Sequence, residues 1–115
     1  ALKRAGLDPV VFERAPELRE VGAGLTLWTN AVRCLRGLGL GSALDAIATP
    51  LRRSELRSWH GKLIAGTDLG AMGDRLGAPT VGVHRADLQK LLADAVGPAL
   101  TLGAACTAVT PDETG

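Results

Sequence analysis

Residues 8–30, DPVVFERAPELREVGAGLTLWTN, decide how the rest of this chain reads. Pro9-Val10-Val11-Phe12 is a short apolar run, β-branched and aromatic, of the kind that forms a fully buried strand. It stops on a carboxylate and a guanidinium, Glu13 and Arg14, where a strand leaving a core meets polar surroundings. Ahead of it, Ala1-Leu2-Lys3-Arg4-Ala5-Gly6 has the pattern of the last turns of a helix closed by glycine. Beyond it, a charged loop from Ala15 to Glu20 leads to Val21-Gly22-Ala23-Gly24-Leu25, two glycines among small apolar residues.

A helix feeding a buried strand that ends on an acid matches the second half of a βαβ nucleotide-binding unit. In that unit the acid hydrogen-bonds ribose hydroxyls. The glycine-rich phosphate loop normally lies ~20 residues ahead of the acid, whereas Glu13 is only the thirteenth residue. The expectation is an internal piece of a longer protein, entered in the middle of its first helix. The alternative is that Glu13 is a solvated charge ending a strand; on the strand alone both readings stand. The glycines at 22 and 24 likewise have two explanations: a turn needing positive φ, or bare backbone that a flat or anionic ligand can approach.

Composition narrows the function classes. The 115 residues are 46% hydrophobic and 22% charged, ordinary for a globular piece. A net charge of +1 and 3% aromatic residues argue against nucleic acid, and no run is long enough to cross a membrane. Cys34 and Cys106 lie far apart without metal-ligand spacing, and are expected as small buried hydrophobes of a reduced, cytoplasmic protein. No metal site is expected.

Thr29 or Asn30 is a good N-cap for a helix over 31–37, with Val32, Leu35 and Leu38 on one face. Ser42-Ala43-Leu44-Asp45 resembles a capping box opening a short helix that Pro50 stops after Thr49. Leu51 to Asp68 reads as a β-hairpin turning at His60-Gly61-Lys62, with Arg52, Arg53, Glu55 and Arg57 on a partly solvated face. Gly70 to Pro79 reads as a flexible connector. From Arg85 to Val96 the apolar residues Leu88, Leu91, Leu92, Ala95 and Val96 form one helical stripe, ended by Gly97-Pro98. Leu100 to Val109 reads as a buried strand parallel to Val10–Phe12, followed by a turn at residues 110–113.

Arg85 opens its helix where the dipole disfavours a cation by ~0.3–1 kcal/mol. Either a salt bridge to Asp87 or a bound anion such as a pyrophosphate would offset that. No grouping in the chain performs chemistry with side chains alone: there is no catalytic triad, no paired carboxylates and no metal cluster. That pattern suits an enzyme whose cofactor carries the reaction.

The stretch PVVFERAPELREVGAGLTLWTNAVRCLRGLGL and the later His84-Arg85-Ala86-Asp87-Leu88, in that order and spacing, resemble the FAD-dependent single-component aromatic hydroxylases. This is the p-hydroxybenzoate and salicylate hydroxylase group, and the resemblance runs along essentially the whole chain. It implies an α/β fold: a partial Rossmann-like FAD-binding domain with a β-hairpin inserted from the substrate-side sheet. Residues 1–50 would belong to the FAD-binding domain, 51–80 to the hairpin and connector, and 81–115 to the FAD-binding domain again. Glu13 would hold the adenosine ribose, Arg14 would pack along the adenine, and Gly22-Ala23-Gly24-Leu25 would border the flavin. Arg85 would contact the phosphate or ribityl region of FAD. Some members carry an arginine near Gly22 that reaches the pyrophosphate; here the position is glycine.

The implied activity is hydroxylation of a small aromatic substrate with FAD, NAD(P)H as electron donor and O2. No residue of this chain is implied as catalytic. This stretch alone is expected to be inactive, marginally stable or aggregation-prone, and to bind FAD weakly or not at all. The other readings are a piece of a different FAD- or NAD-linked oxidoreductase, and a non-catalytic remnant or interaction module.

Overall fold

A computed structural model describes residues 1–19 and 22–111. Glu20 and Val21, and residues 112–115 with half of the expected closing turn, lie outside the described residues. The strands are β1 (Val11–Glu13), β2 (Gly24–Leu27), β3 (Ala48–Leu51), β4 (Arg53–Arg57), β5 (Leu63–Asp68), β6 (Thr80–His84) and β7 (Leu100–Leu102). The helices are α1 (Thr29–Gly37), α2 (Gly41–Ile47), α3 (Leu69–Leu76) and α4 (Arg85–Val96). They make a mixed α/β architecture with three sheets: parallel β1–β7, antiparallel β2–β6–β3, and the hairpin β4–β5.

The core lies between the β2–β6–β3 sheet and the helices α1, α2 and α4. Val32 and Leu44 are fully buried there with Ala78 and Val81, and Leu27, Leu35, Ala48, Leu88 and Leu91 pack against them. Strand pairing explains the division of this sheet, because directly opposed residues share a face. Leu27, Val81 and Pro50 oppose one another, as do Leu25, Val83 and Ala48. Gly24 with His84, and Thr26 with Gly82 and Thr49, form the opposite face. One side is therefore apolar, with Leu27, Ala48 and Val81 on the core, and the other carries glycine, threonine and histidine with the Leu51–Thr80 pair at one end.

The rest of the chain extends away from that core. The radius of gyration is 18.4 Å and the extents are 58 × 30 × 29 Å, where a compact domain of this length has a radius of about 13 Å. This geometry overturns the expected burial of β1: Val10 and Phe12 are each 62% exposed. Its hydrogen-bonded partner is the three-residue β7, and a two-stranded pair cannot cover both of its own faces. The parallel pairing of these strands is as expected, with Val11 opposite Leu100 and Glu13 opposite Leu102. The second strand ends at Leu102, not Val109, because Gly103 takes φ +69° and turns the chain. Ahead of β1 the helical turn Leu2–Ala5 is a 3-10 helix, closed by a left-handed Gly6 as its sequence suggests.

Other expectations also give way. Residues 70–79 hold a helix rather than a flexible connector: the Asp68 carboxylate caps α3 by accepting from Ala71 N at 2.9 Å, and Gly77 closes it in the left-handed region. Pro50 stops nothing. The helix α2 ends at Ile47 and Pro50 sits within β3, an edge strand of its sheet, where a missing N–H is tolerated. The expected capping box at Ser42 does not form, and Asp45 instead pairs with Arg36 at 3.1 Å. Thr29 is the first residue of α1 and is buried, with no side-chain cap bond. Cys34 and Cys106 are exposed rather than buried.

The hairpin matches its sequence. Ser58 N donates to Lys62 O at 2.8 Å, Gly61 has φ +83°, and Glu55 is bracketed by Arg53 and Arg57, each at 2.6 Å. These are neighbours on one side of β4, two residues apart.

Candidate functional site

Two of the three segments singled out in the sequence meet at one joint. The pairing of β2 with β6 sets Gly24 opposite His84, and immediately beyond it the Arg85 amide donates to Ala23 O at 2.9 Å. The glycine segment and the first turn of α4 are thereby locked together across sixty residues of sequence. Arg85 is exposed, and among the described residues its guanidinium makes no ion pair. The salt bridge to Asp87 is not formed.

Gly22 and Gly24 play different parts, and neither has positive φ. A side chain at Gly24 would meet nothing within 4 Å, so the backbone there faces open space. At Gly22 a Cβ would stand 3.2 Å from His84 Cε1 and 3.4 Å from Nε2. His84 had no role assigned from sequence; the signal that could have found it is its place directly before Arg85. A shallow cleft of about 440 Å³ runs over the face formed by Gly24, Thr26, Thr49, Gly82 and His84. A larger hollow, about 800 Å³, lies between the hairpin and α3 beside Arg52, Asp68 and Asp74. It holds none of the residues expected to contact FAD, but Gly70, Ala71 and Asp74 of the 70–79 stretch line it.

Glu13 stands apart from this joint, at the tip of the parallel pair. It is half-buried, and its Oε1 accepts from Ala15 N at 2.8 Å. Its own carbonyl accepts from Ala104 N at 2.9 Å, and Ala15 O accepts from Gly103 N at the same distance. These bonds fix the strand tip and orient the carboxylate, leaving Oε2 without a hydrogen bond among the described residues. Arg14 is exposed and has no ion pair among the described residues. The hydrogen bonds of Glu13 stay within the ends of β1 and β7, so it is not bonded to the Ala23–Arg85 joint.

Among the described residues no group of three or more His, Cys, Asp or Glu could hold a metal ion, and no helix is long and apolar enough to cross a membrane.

No family model matches the chain. It is 47% identical over 111 residues to the 3-amino-4-hydroxybenzoate 2-monooxygenase of Streptomyces cremeus, covering 94% of this chain and 28% of that protein. It is 35% identical over 95 residues to a FAD-dependent urate hydroxylase of Klebsiella pneumoniae, covering 82% of this chain and 25% of the relative. The crystal structure of Klebsiella pneumoniae HpxO complexed with FAD and uric acid superposes with a TM-score of 0.84 at 30% identity, over 97% of this chain and 28% of that one. The chain thus spans little more than a quarter of the length of the relatives it matches. Its homologues are FAD-dependent aromatic monooxygenases, and the chain matches one part of them.

Proposed function

We propose that the chain is the part of a flavin-dependent monooxygenase that holds the adenosine, diphosphate and one edge of the ring system of FAD. The observation that carries this reading is the Ala23–Arg85 backbone hydrogen bond, which ties Arg85, whose guanidinium has no ion pair among the described residues, to a glycine segment open at Gly24.

The residues fit the group chemically. Arg85 offers a planar fork of donors suited to phosphate oxygens, and a phosphate there would offset the unfavourable placing of a cation at a helix start. Glu13, oriented by Ala15 N–H, keeps one carboxylate oxygen for a ribose hydroxyl. Arg14 would lie along the adenine. Gly22, Ala23, Gly24 and Leu25 would border the flavin, where the absence of a side chain at Gly24 leaves room for close approach. The parallel β1–β7 pair supports a partial Rossmann-like frame. On this reading residues 1–50 and 81–115 belong to the FAD-binding domain, while 51–80, the hairpin with α3, belong to the substrate side.

When bound, FAD supplies the redox and oxygen chemistry, with NAD(P)H as the electron donor. This chain's residues bind and orient it; none of them acts as acid, base or nucleophile. The substrate class is a small aromatic or heteroaromatic molecule, supported by relatives named for an aminohydroxybenzoate and for urate. A cytoplasmic setting belongs to the same reading, and two free cysteines suit it.

Titrating the protein expressed from its complete reading frame with FAD, and separately with NAD(P)H, tests the proposal. Saturable FAD binding with a flavin visible spectrum is expected. Binding of NAD(H) with no flavin would point to another oxidoreductase, and binding of neither to a non-catalytic module.

A further inference from the structure

We infer that His84 and Gly22 form a positioning pair: the imidazole lies over the bare α-carbon of Gly22 and so fixes the joint from which Arg85 projects. This rests on the reading of Arg85 as an FAD contact. Three observations carry it. Gly22 lacks the positive φ that would demand glycine for its backbone, so the demand is for space. Among the described residues, the atoms within 4 Å of a Cβ at Gly22 are Cε1 and Nε2 of His84, at 3.2 and 3.4 Å. His84 is also the N-cap residue of α4, with no side-chain cap bond to hold its ring there.

A side chain at position 22 would meet that ring alone. The imidazole would have to give way by a few tenths of an ångström for a methyl and further for a branched side chain, and the ring borders the cleft lined by Gly24, Leu25 and Thr26. The displaced group would then crowd the face that Gly24 leaves open. Position 22 therefore acts on FAD binding through His84 in addition to bordering the flavin.

The test is a double-mutant cycle in the protein expressed from its complete reading frame, reading FAD affinity by flavin fluorescence. Gly22→Val is expected to weaken FAD binding roughly fivefold, and adding His84→Ala to recover most of the loss, a non-additivity typical of touching residues. Gly22→Ala is the milder variant should the valine protein fail to fold. NMR of the protein without FAD supplies a second readout: a nuclear Overhauser effect between His84 Hε1 and the Gly22 α-protons, lost on Gly22→Ala. Equal losses with and without the imidazole, or absence of that effect in the unmutated protein, would overturn the pairing. Unchanged FAD affinity in Arg85→Ala would instead overturn the underlying reading of the site, and the NMR result would still decide the contact itself.

Discussion

The amide of Arg85 donates to the carbonyl of Ala23 at 2.9 Å, so the first residue of α4 is tied to the middle of the glycine segment. That bond belongs to the backbone, and it survives any substitution of the side chain except proline. Arg85→Ala should therefore leave the melting temperature nearly unchanged while weakening FAD binding roughly tenfold or more, the scale of a lost charged hydrogen bond. Arg85→Lys should recover only part of the affinity, since an ammonium cannot present the planar fork. Thermal melts beside FAD titrations measure both.

Glu13 separates two tasks in one side chain. Its Oε1 anchors Ala15 N–H at 2.8 Å, and its remaining oxygen is the one offered to ribose. Glu13→Gln keeps an acceptor for Ala15 and should preserve stability while reducing FAD affinity. Glu13→Ala should lose affinity and, in addition, about 1 kcal/mol of stability from the abandoned amide. Chemical denaturation of the two variants distinguishes the tasks.

The cap of α3 is a single carboxylate, Asp68 on Ala71 N. Asp68→Ala should cost about 1 kcal/mol and Asp68→Asn a fraction of that. The loss should appear first as faster amide exchange in residues 70–76.

Glycine-to-alanine changes should act with opposite signs in two helices. At Gly73 the new Cβ would stand 3.1 Å from Ala78 O and 3.2 Å from Pro79 Cα, both backbone atoms. Crowding of that kind costs about 1–3 kcal/mol and outweighs the gain in helix propensity. At Gly37, in α1, nothing lies within 4 Å, and the same change should stabilise by up to ~1 kcal/mol. Denaturant midpoints of the two variants should move in opposite directions.

Thr80 is fully buried, and its hydroxyl finds no partner among the described residues. Thr80→Val keeps the shape, removes the unmet polar group and suits a strand. It should raise stability by about 1 kcal/mol, read as a higher denaturant midpoint with an unchanged slope.

Local signals were legible in the sequence and distant ones were not. The span of α4, the turn at Gly61 and the glycine closing the first helical turn each depend on neighbours within a few residues, and each is found where expected. Of the α4 stripe, though, only Leu88 and Leu91 pack on the core, while Leu92 is 40% exposed. The helix α3 was hidden because Gly70 and Gly73 count against a helix by about 1 kcal/mol each on propensity. The opposing signals, a capping aspartate at 68 and Leu69, Met72 and Leu76 at helical spacing, were present but weaker. Burial of β1 was inferred from its composition, yet composition does not supply the layers that cover a strand; Phe12 is exposed despite it. At the site, Arg85 and the Gly22–Leu25 segment were readable singly from motif. Their contact was not, because it depends on antiparallel pairing of β2 with β6, and so His84 went unassigned.

The parallel pair β1–β7 leaves each of its strands with a flank that no other described strand occupies. Val10 and Phe12 lie uncovered beside it. Free amides and carbonyls in a row, next to bare hydrocarbon, make a template onto which an extended segment of a neighbouring molecule can zip. Expressed by itself, this stretch therefore exposes a sheet edge along which its own copies would aggregate.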